Sequence, residues 1–167
     1  MDLRYVNIAF LAGTLALLSA CHEKREYDVT YYSAANSRAF VAHVNALAAI
    51  HTDSVSLANS IFLIVQETQC SSCLSELQWW EENQQEIKGA RIYVMVTTKY
   101  MSVGQLFLKE QGITLPALFD TSEALLAQHI IPDVPVKVYL NQELEIKTIQ
   151  SMRAGLELDD FLETVNE

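Results

Sequence analysis

Positive charge is what this sequence has least of. Lysine and arginine number 11 against 21 aspartates and glutamates, so the net charge is −10 and the isoelectric point about 4.8. No basic patch exists to neutralise phosphates, which argues against a nucleic-acid partner. Glycine is scarce as well. Gly13, Gly89, Gly104, Gly112 and Gly155 are scattered, so no glycine loop can cradle a phosphate. No Pro-x-x-x-Thr-x-x-Cys pattern precedes a cysteine, which speaks against a peroxidase, and no nucleophile elbow is present. Repeats and low-complexity segments are also missing. Cysteine occurs only at Cys21, Cys70 and Cys73.

The first of these closes a targeting signal. Met1 to Asn7 is short and polar, and Ile8 to Leu18 is an uncharged apolar core. Leu18-Ser-Ala-Cys21 then ends it, the pattern of a secretory signal. That ending resembles the lipobox of bacterial lipoproteins. The resemblance implies removal of residues 1–20, a diacylglycerol on the Cys21 sulfur and an acylated new amino terminus, a stable membrane anchor. The competing reading is an uncleaved membrane helix, but only about 17 uncharged residues separate Arg4 from His22, at the short limit for spanning. Residues 21–36 read as a tether and residues 37–167 as the folded domain.

Lipidation of Cys21 leaves one pair, Cys70 and Cys73, in a compartment where disulfides persist. Ile61 to Val65 reads as a buried strand, apolar and rich in β-branched residues. It breaks at Gln66 to Gln69 and delivers the C-x-x-C pair to the start of a helix. A thiol there meets unpaired N–H groups and the positive end of the helix dipole, which both favour the reactive thiolate. That helix is expected to run through Leu74, Leu77 and Trp79 or Trp80 and to end near Gly89.

The remaining elements follow from pattern. Asn36 or Ser37 is expected to cap a helix to about Ile50, with Phe40, Val41, Val44, Leu47 and Ala48 on one face. His43 and His51 read as surface histidines at its polar side or end. Arg91 to Thr97 is a second buried strand, and Ser102 to Gly112 a helix. Ile113 to Asp120 is extended, and Ser122 to His129 is helical, capped by Asp120 or Thr121. Val136 to Leu140 alternates as a strand and joins Leu144 to Ile149 in a hairpin. Leu156 to Val165 is amphipathic. Alternating strands and helices followed by a hairpin predict an α/β fold: a central mixed parallel and antiparallel sheet flanked by helices in three layers.

These residues resemble the thioredoxin superfamily, in particular the redoxin or TlpA-like thiol–disulfide proteins of the bacterial envelope. The likeness rests on the strand leading into Cys70-x-x-Cys73, the helix, the second strand, and Val134-Pro135 opening the hairpin. Leu118-Phe-Asp120 and Leu126 to Asn141 match that group's extra strand and helix before its proline, and the match spans about residues 58 to 165. It implies that Cys70 is the attacking thiolate and Cys73 the buried resolving thiol. It further implies that Pro135 follows a cis bond beside the pair, with the Val134 backbone pairing a substrate strand.

Two departures stand out. Gln69 replaces the aromatic residue usual before the first cysteine, and Ile64 replaces the buried acid of thioredoxins. Glu67 and Glu76 are candidate substitutes for that acid. The expected activity is thiol–disulfide exchange with extracytoplasmic proteins by a membrane-tethered oxidoreductase without a cofactor or metal. The alternative is a non-catalytic binding module whose Cys70–Cys73 disulfide is structural. Copper delivery, with two thiolates for Cu(I) and His129 near Pro135 in sequence, and zinc, which needs two further ligands, fit less well. Composition does not fix the partner, the electron donor or the direction of exchange.

Overall fold

A computed structural model describes residues 29–51, 55–67, 71–152 and 158–166. The signal residues 1–20, Cys21 and Cys70 lie outside the described residues.

A short 3-10 turn, Val29–Tyr32, precedes helix α1, Ala34–His51. The helix starts earlier than a cap at Asn36 or Ser37 predicts, because Ser33 takes that role. Its Oγ accepts the Asn36 N–H at 3.1 Å, the contact that satisfies an otherwise orphaned first-turn donor. Asn36 and Ser37 are thereby released for longer-range work. The Asn36 amide donates to the Ile130 carbonyl, and the Ser37 hydroxyl accepts the Ile146 N–H at 3.0 Å.

Strand β1, Ser60–Gln66, leads to helix α2, Ser71–Asn83, and then strand β2, Arg91–Thr97. Helix α3, Met101–Glu110, strand β3, Ala117–Asp120, and the single turn α4, Ala124–Ala127, follow. Strands β4, Val136–Leu140, and β5, Ile146–Ser151, form the hairpin, and helix α5, Leu158–Asn166, comes last. The sheet order is β3-β2-β1-β4-β5. Strand β1 pairs parallel with β2 and antiparallel with β4; β2 pairs parallel with β3.

The alternation of strand side chains divides the core in two. On one face Phe62, Ile64, Tyr93, Met95, Leu118 and Val138 pack with Phe40, Val44 and Leu47 of α1. On the other, Ile61, Leu63, Val65, Val94 and Val96 pack with Leu77 and Trp80 of α2, Phe107 of α3 and Phe161 of α5. A strand covered on both faces has no use for a polar side, which is why β1 is a continuous apolar run. Helix α3 sits close to the sheet at Gly104, where a Cβ would lie 2.7 Å from the Phe119 ring.

Besides the start of α1, three elements differ from the pattern-based expectation. Helix α2 ends at Asn83, whose side-chain amide donates to the Trp79 carbonyl at 2.7 Å, and does not reach Gly89. Helix α4 is one turn long, since Glu123 before it and His129 after it both adopt positive φ. Strand β5 begins later than Leu144, which has φ of 63° in the connecting turn, and its pairing is irregular at Tyr139 and Leu140.

Candidate active site

Helix α2 starts at Ser71, five residues after β1 ends at Gln66. Cys73 is its third residue and is buried, at 5% exposure. Helical spacing puts Glu76, Leu77 and Trp80 on the same inward face, and all three are buried. Residues three apart on a helix stand about 5–6 Å from each other at Cβ, so Glu76 is the acidic neighbour of Cys73 along the helix.

Glu76 is held from two sides. Its Oε1 accepts the Trp80 indole N–H at 3.3 Å and lies 2.8 Å from Lys137 Nζ. Lys137 is fully buried and Glu76 4% exposed. The ammonium also stands 5.4 Å from the centre of the Phe161 ring, a distance at which the ring face attracts a cation. Glu76 Oε2 is buried and has no hydrogen-bond partner among the described residues.

Of the two candidate acids, Glu76 is therefore the one in the interior. Glu67 lies in the turn that ends β1 and is half-buried. Ile64 is fully buried on the opposite face of the sheet, among Phe62, Met95 and Val136. Lys137 was not singled out by sequence. The available signal was one cation inside an otherwise apolar five-residue strand, and its meaning depends on both faces of that strand being covered.

The Val134–Pro135 bond is cis. Strand β4 begins directly after it, with Val136 opposite Ile64 of β1. The dipeptide thus lies at the end of β1 from which the chain runs to the cysteine motif. Both residues are half-buried. The Val134 N–H donates to the Asp133 side chain at 2.8 Å, and the Pro135 carbonyl accepts the Met152 N–H at 3.1 Å. His129 is exposed.

On the far face of the sheet, His43 is not the surface histidine expected of it. Its Nε2 lies 3.2 Å from Oδ2 of the fully buried Asp120, and its side chain is 14% exposed. Ser122 donates to Asp120 Oδ1 through both its hydroxyl, at 2.6 Å, and its N–H, at 3.0 Å. Burial works against the Asp120 carboxylate, but the His43 and Ser122 contacts outweigh it and hold its pKa down to about 2.

No protein-family model and no curated relative matches the sequence. Solved structures do match the fold. A candidate thiol:disulfide interchange protein DsbE from Chlorobium tepidum superimposes with a TM-score of 0.58 at 10% identity, covering 65% of this chain and 78% of that one. A secreted disulfide oxidoreductase of Mycobacterium tuberculosis gives 0.52 at 15% identity over 66% and 83% of the two chains. A thioredoxin-like protein from Porphyromonas gingivalis gives 0.55 at 14% identity over 68% and 76%. The five-stranded mixed sheet and its flanking helices thus form a thioredoxin-like α/β fold, with thiol–disulfide interchange proteins among its structural neighbours.

Proposed function

We propose that this protein is a thiol–disulfide oxidoreductase of the bacterial envelope, exchanging disulfides with extracytoplasmic proteins through Cys70 and Cys73. The observation that carries the reading is the burial of Cys73 in the first turn of α2, one turn before the buried Glu76. A structural neighbour described as a secreted disulfide oxidoreductase supports the compartment. In this reading residues 1–20 are a signal peptide, Cys21 carries the lipid, residues 21–36 lead from the membrane into helix α1, whose first turn they include, and residues 37–167 act. Among the described residues no helix is long and apolar enough to cross a membrane.

Cys70, which precedes the first residue of α2 in sequence, attacks a partner disulfide as thiolate and forms a mixed disulfide. Cys73 then attacks Cys70 and releases the partner. Glu76 is the acid placed to assist Cys73. Val134 and Pro135 receive the partner's backbone, and no cofactor takes part.

The test is insulin reduction by the purified domain with dithiothreitol as donor. Turnover lost in Cys70→Ser is the expected result. Turnover unchanged in that variant would refute the reading.

The departures Gln69 and Ile64 favour a second reading, a binding module with a structural disulfide. A Cys70–Cys73 disulfide that resists dithiothreitol in the folded protein would support it.

A further inference from the structure

A lysine with no exposed surface is costly, because the loss of hydration of each buried ion amounts to several kcal/mol. In this fold the cost is incurred beside Glu76, one helical turn along α2 from the buried Cys73. Lys137 occupies the second position of β4, two residues after Pro135, and points into the layer between the sheet and helices α2 and α5. Its ammonium meets Glu76 Oε1 at 2.8 Å and the Phe161 ring face at 5.4 Å. The Trp80 indole occupies the same carboxylate oxygen. Both fixed donors therefore converge on Oε1, while the buried Oε2 has no hydrogen-bond partner among the described residues. A carboxylate so held has one oxygen committed and one available, one helical turn from Cys73.

We propose that Lys137 is a positioning residue for the second step of exchange: it clamps Glu76 through Oε1 as the anion of an ion pair and leaves Oε2 to take the Cys73 proton. This rests on the reading of Cys70 and Cys73 as the exchanging pair.

The Cys73 thiol gives its proton to Glu76 Oε2, and its sulfur attacks the Cys70 sulfur of the mixed disulfide. The Cys70–Cys73 bond forms as the bond to the partner sulfur breaks. The electron pair leaves on the partner sulfur, which is protonated from water. The partner disulfide gains two electrons in all and the cysteine pair loses two. A positive charge beside the carboxylate keeps an acceptor ready without exposing the site to water.

The experiment follows the reduced protein reacting with dithionitrobenzoate, which releases one coloured thiolate when Cys70 attacks and a second when Cys73 resolves the mixed disulfide. Both releases are timed across pH in the wild type, Lys137→Met, Lys137→Arg and the double variant Glu76→Gln/Lys137→Met. The proposal expects an unchanged first release in Lys137→Met and a second release slower by on the order of tenfold at neutral pH. The pH profile of that second release should move to higher pH, and Lys137→Arg should restore much of the rate. If Lys137→Met does not fold, the double variant, which leaves no unpaired buried charge, must show the slow second release. A folded Lys137→Met with a wild-type second release and pH profile would overturn the proposal. So would a wild-type second release in the double variant. Failure of the underlying reading looks different: Cys70→Ser would leave the first release intact, or Cys73→Ser the second.

Discussion

Two buried acid–base pairs lie on opposite faces of the same sheet, and they differ in what stands beside the second carboxylate oxygen and in how far the basic partner is enclosed. On the α1 face, Ser122 donates twice to Asp120 Oδ1, Oδ2 lies 3.2 Å from His43 Nε2 without completing a hydrogen bond among the described residues, and the imidazole keeps some contact with water. On the α2 face, both donors to Glu76 meet at one oxygen, and the cation is wholly enclosed. The first arrangement joins α1 to the end of β3 and to the turn before α4. The second stands one helical turn from a cysteine. A carboxylate with a polar group close to each oxygen is suited to holding structure, whereas a buried one whose second oxygen has neither a hydrogen bond nor an ion-pair contact among the described residues can accept a proton.

The largest effect should come from breaking the enclosed pair. Lys137→Ala or Glu76→Ala leaves a lone buried charge, and urea unfolding should show a loss of about 3–5 kcal/mol for either. The double variant Glu76→Gln/Lys137→Met should recover most of that loss. Single and double variants of equal stability would mean that the two charges do not depend on each other.

Asp120 should show a smaller, pH-dependent effect. Its pKa in the fold lies below the ordinary 3.8, at about 2. A depressed carboxylate contributes stability that is fully present above the unfolded value and is lost as pH falls through the folded one. Unfolding free energy in the wild type should therefore drop by about 2 kcal/mol between about pH 4 and pH 2. In Asp120→Asn that step should disappear. A step of equal size in both proteins would locate the acid sensitivity elsewhere.

His43→Ala should cost less, about 1 kcal/mol, because water can partly replace a contact at the rim. A cycle with Asp120→Asn should show coupling between the two residues. The smallest effect is expected away from both pairs, at Glu81. Its carboxylate accepts the N–H groups of Thr114 and Leu115 and the Thr114 hydroxyl. Partial burial opposes its charge, but these hydrogen bonds outweigh that and hold its pKa below the usual value. Glu81→Gln keeps the shape and should cost about 1 kcal/mol, with no change in thiol chemistry.

How much of this was legible in the sequence depended on whether the deciding contact was local. Strands β1 and β2 could be read directly, since continuous apolar runs have few alternatives inside an α/β sheet, and β4 could be read from its alternation. The cis bond before Pro135 was expected from the resemblance and is present. The start of α1 was misplaced because Ser33, Asn36 and Ser37 are all plausible caps. Only the tertiary partners Ile130 and Ile146 show that the latter two are used elsewhere. His43 looked like a surface residue because Asp120 arrives beside it only when β3 joins the sheet edge. Lys137 was hidden for a related reason. A lysine in an alternating strand looks solvent-facing until α2 and α5 are known to cover that side.

The most direct test of the account is to trap the exchange in cells. Cys73→Ser removes the resolving thiol, so mixed disulfides formed at Cys70 should accumulate with envelope proteins and be recovered by mass spectrometry. They should vanish in the Cys70→Ser/Cys73→Ser double variant. Recovery of no mixed disulfide from Cys73→Ser, with Cys70 left unmodified by alkylating reagents, would contradict it.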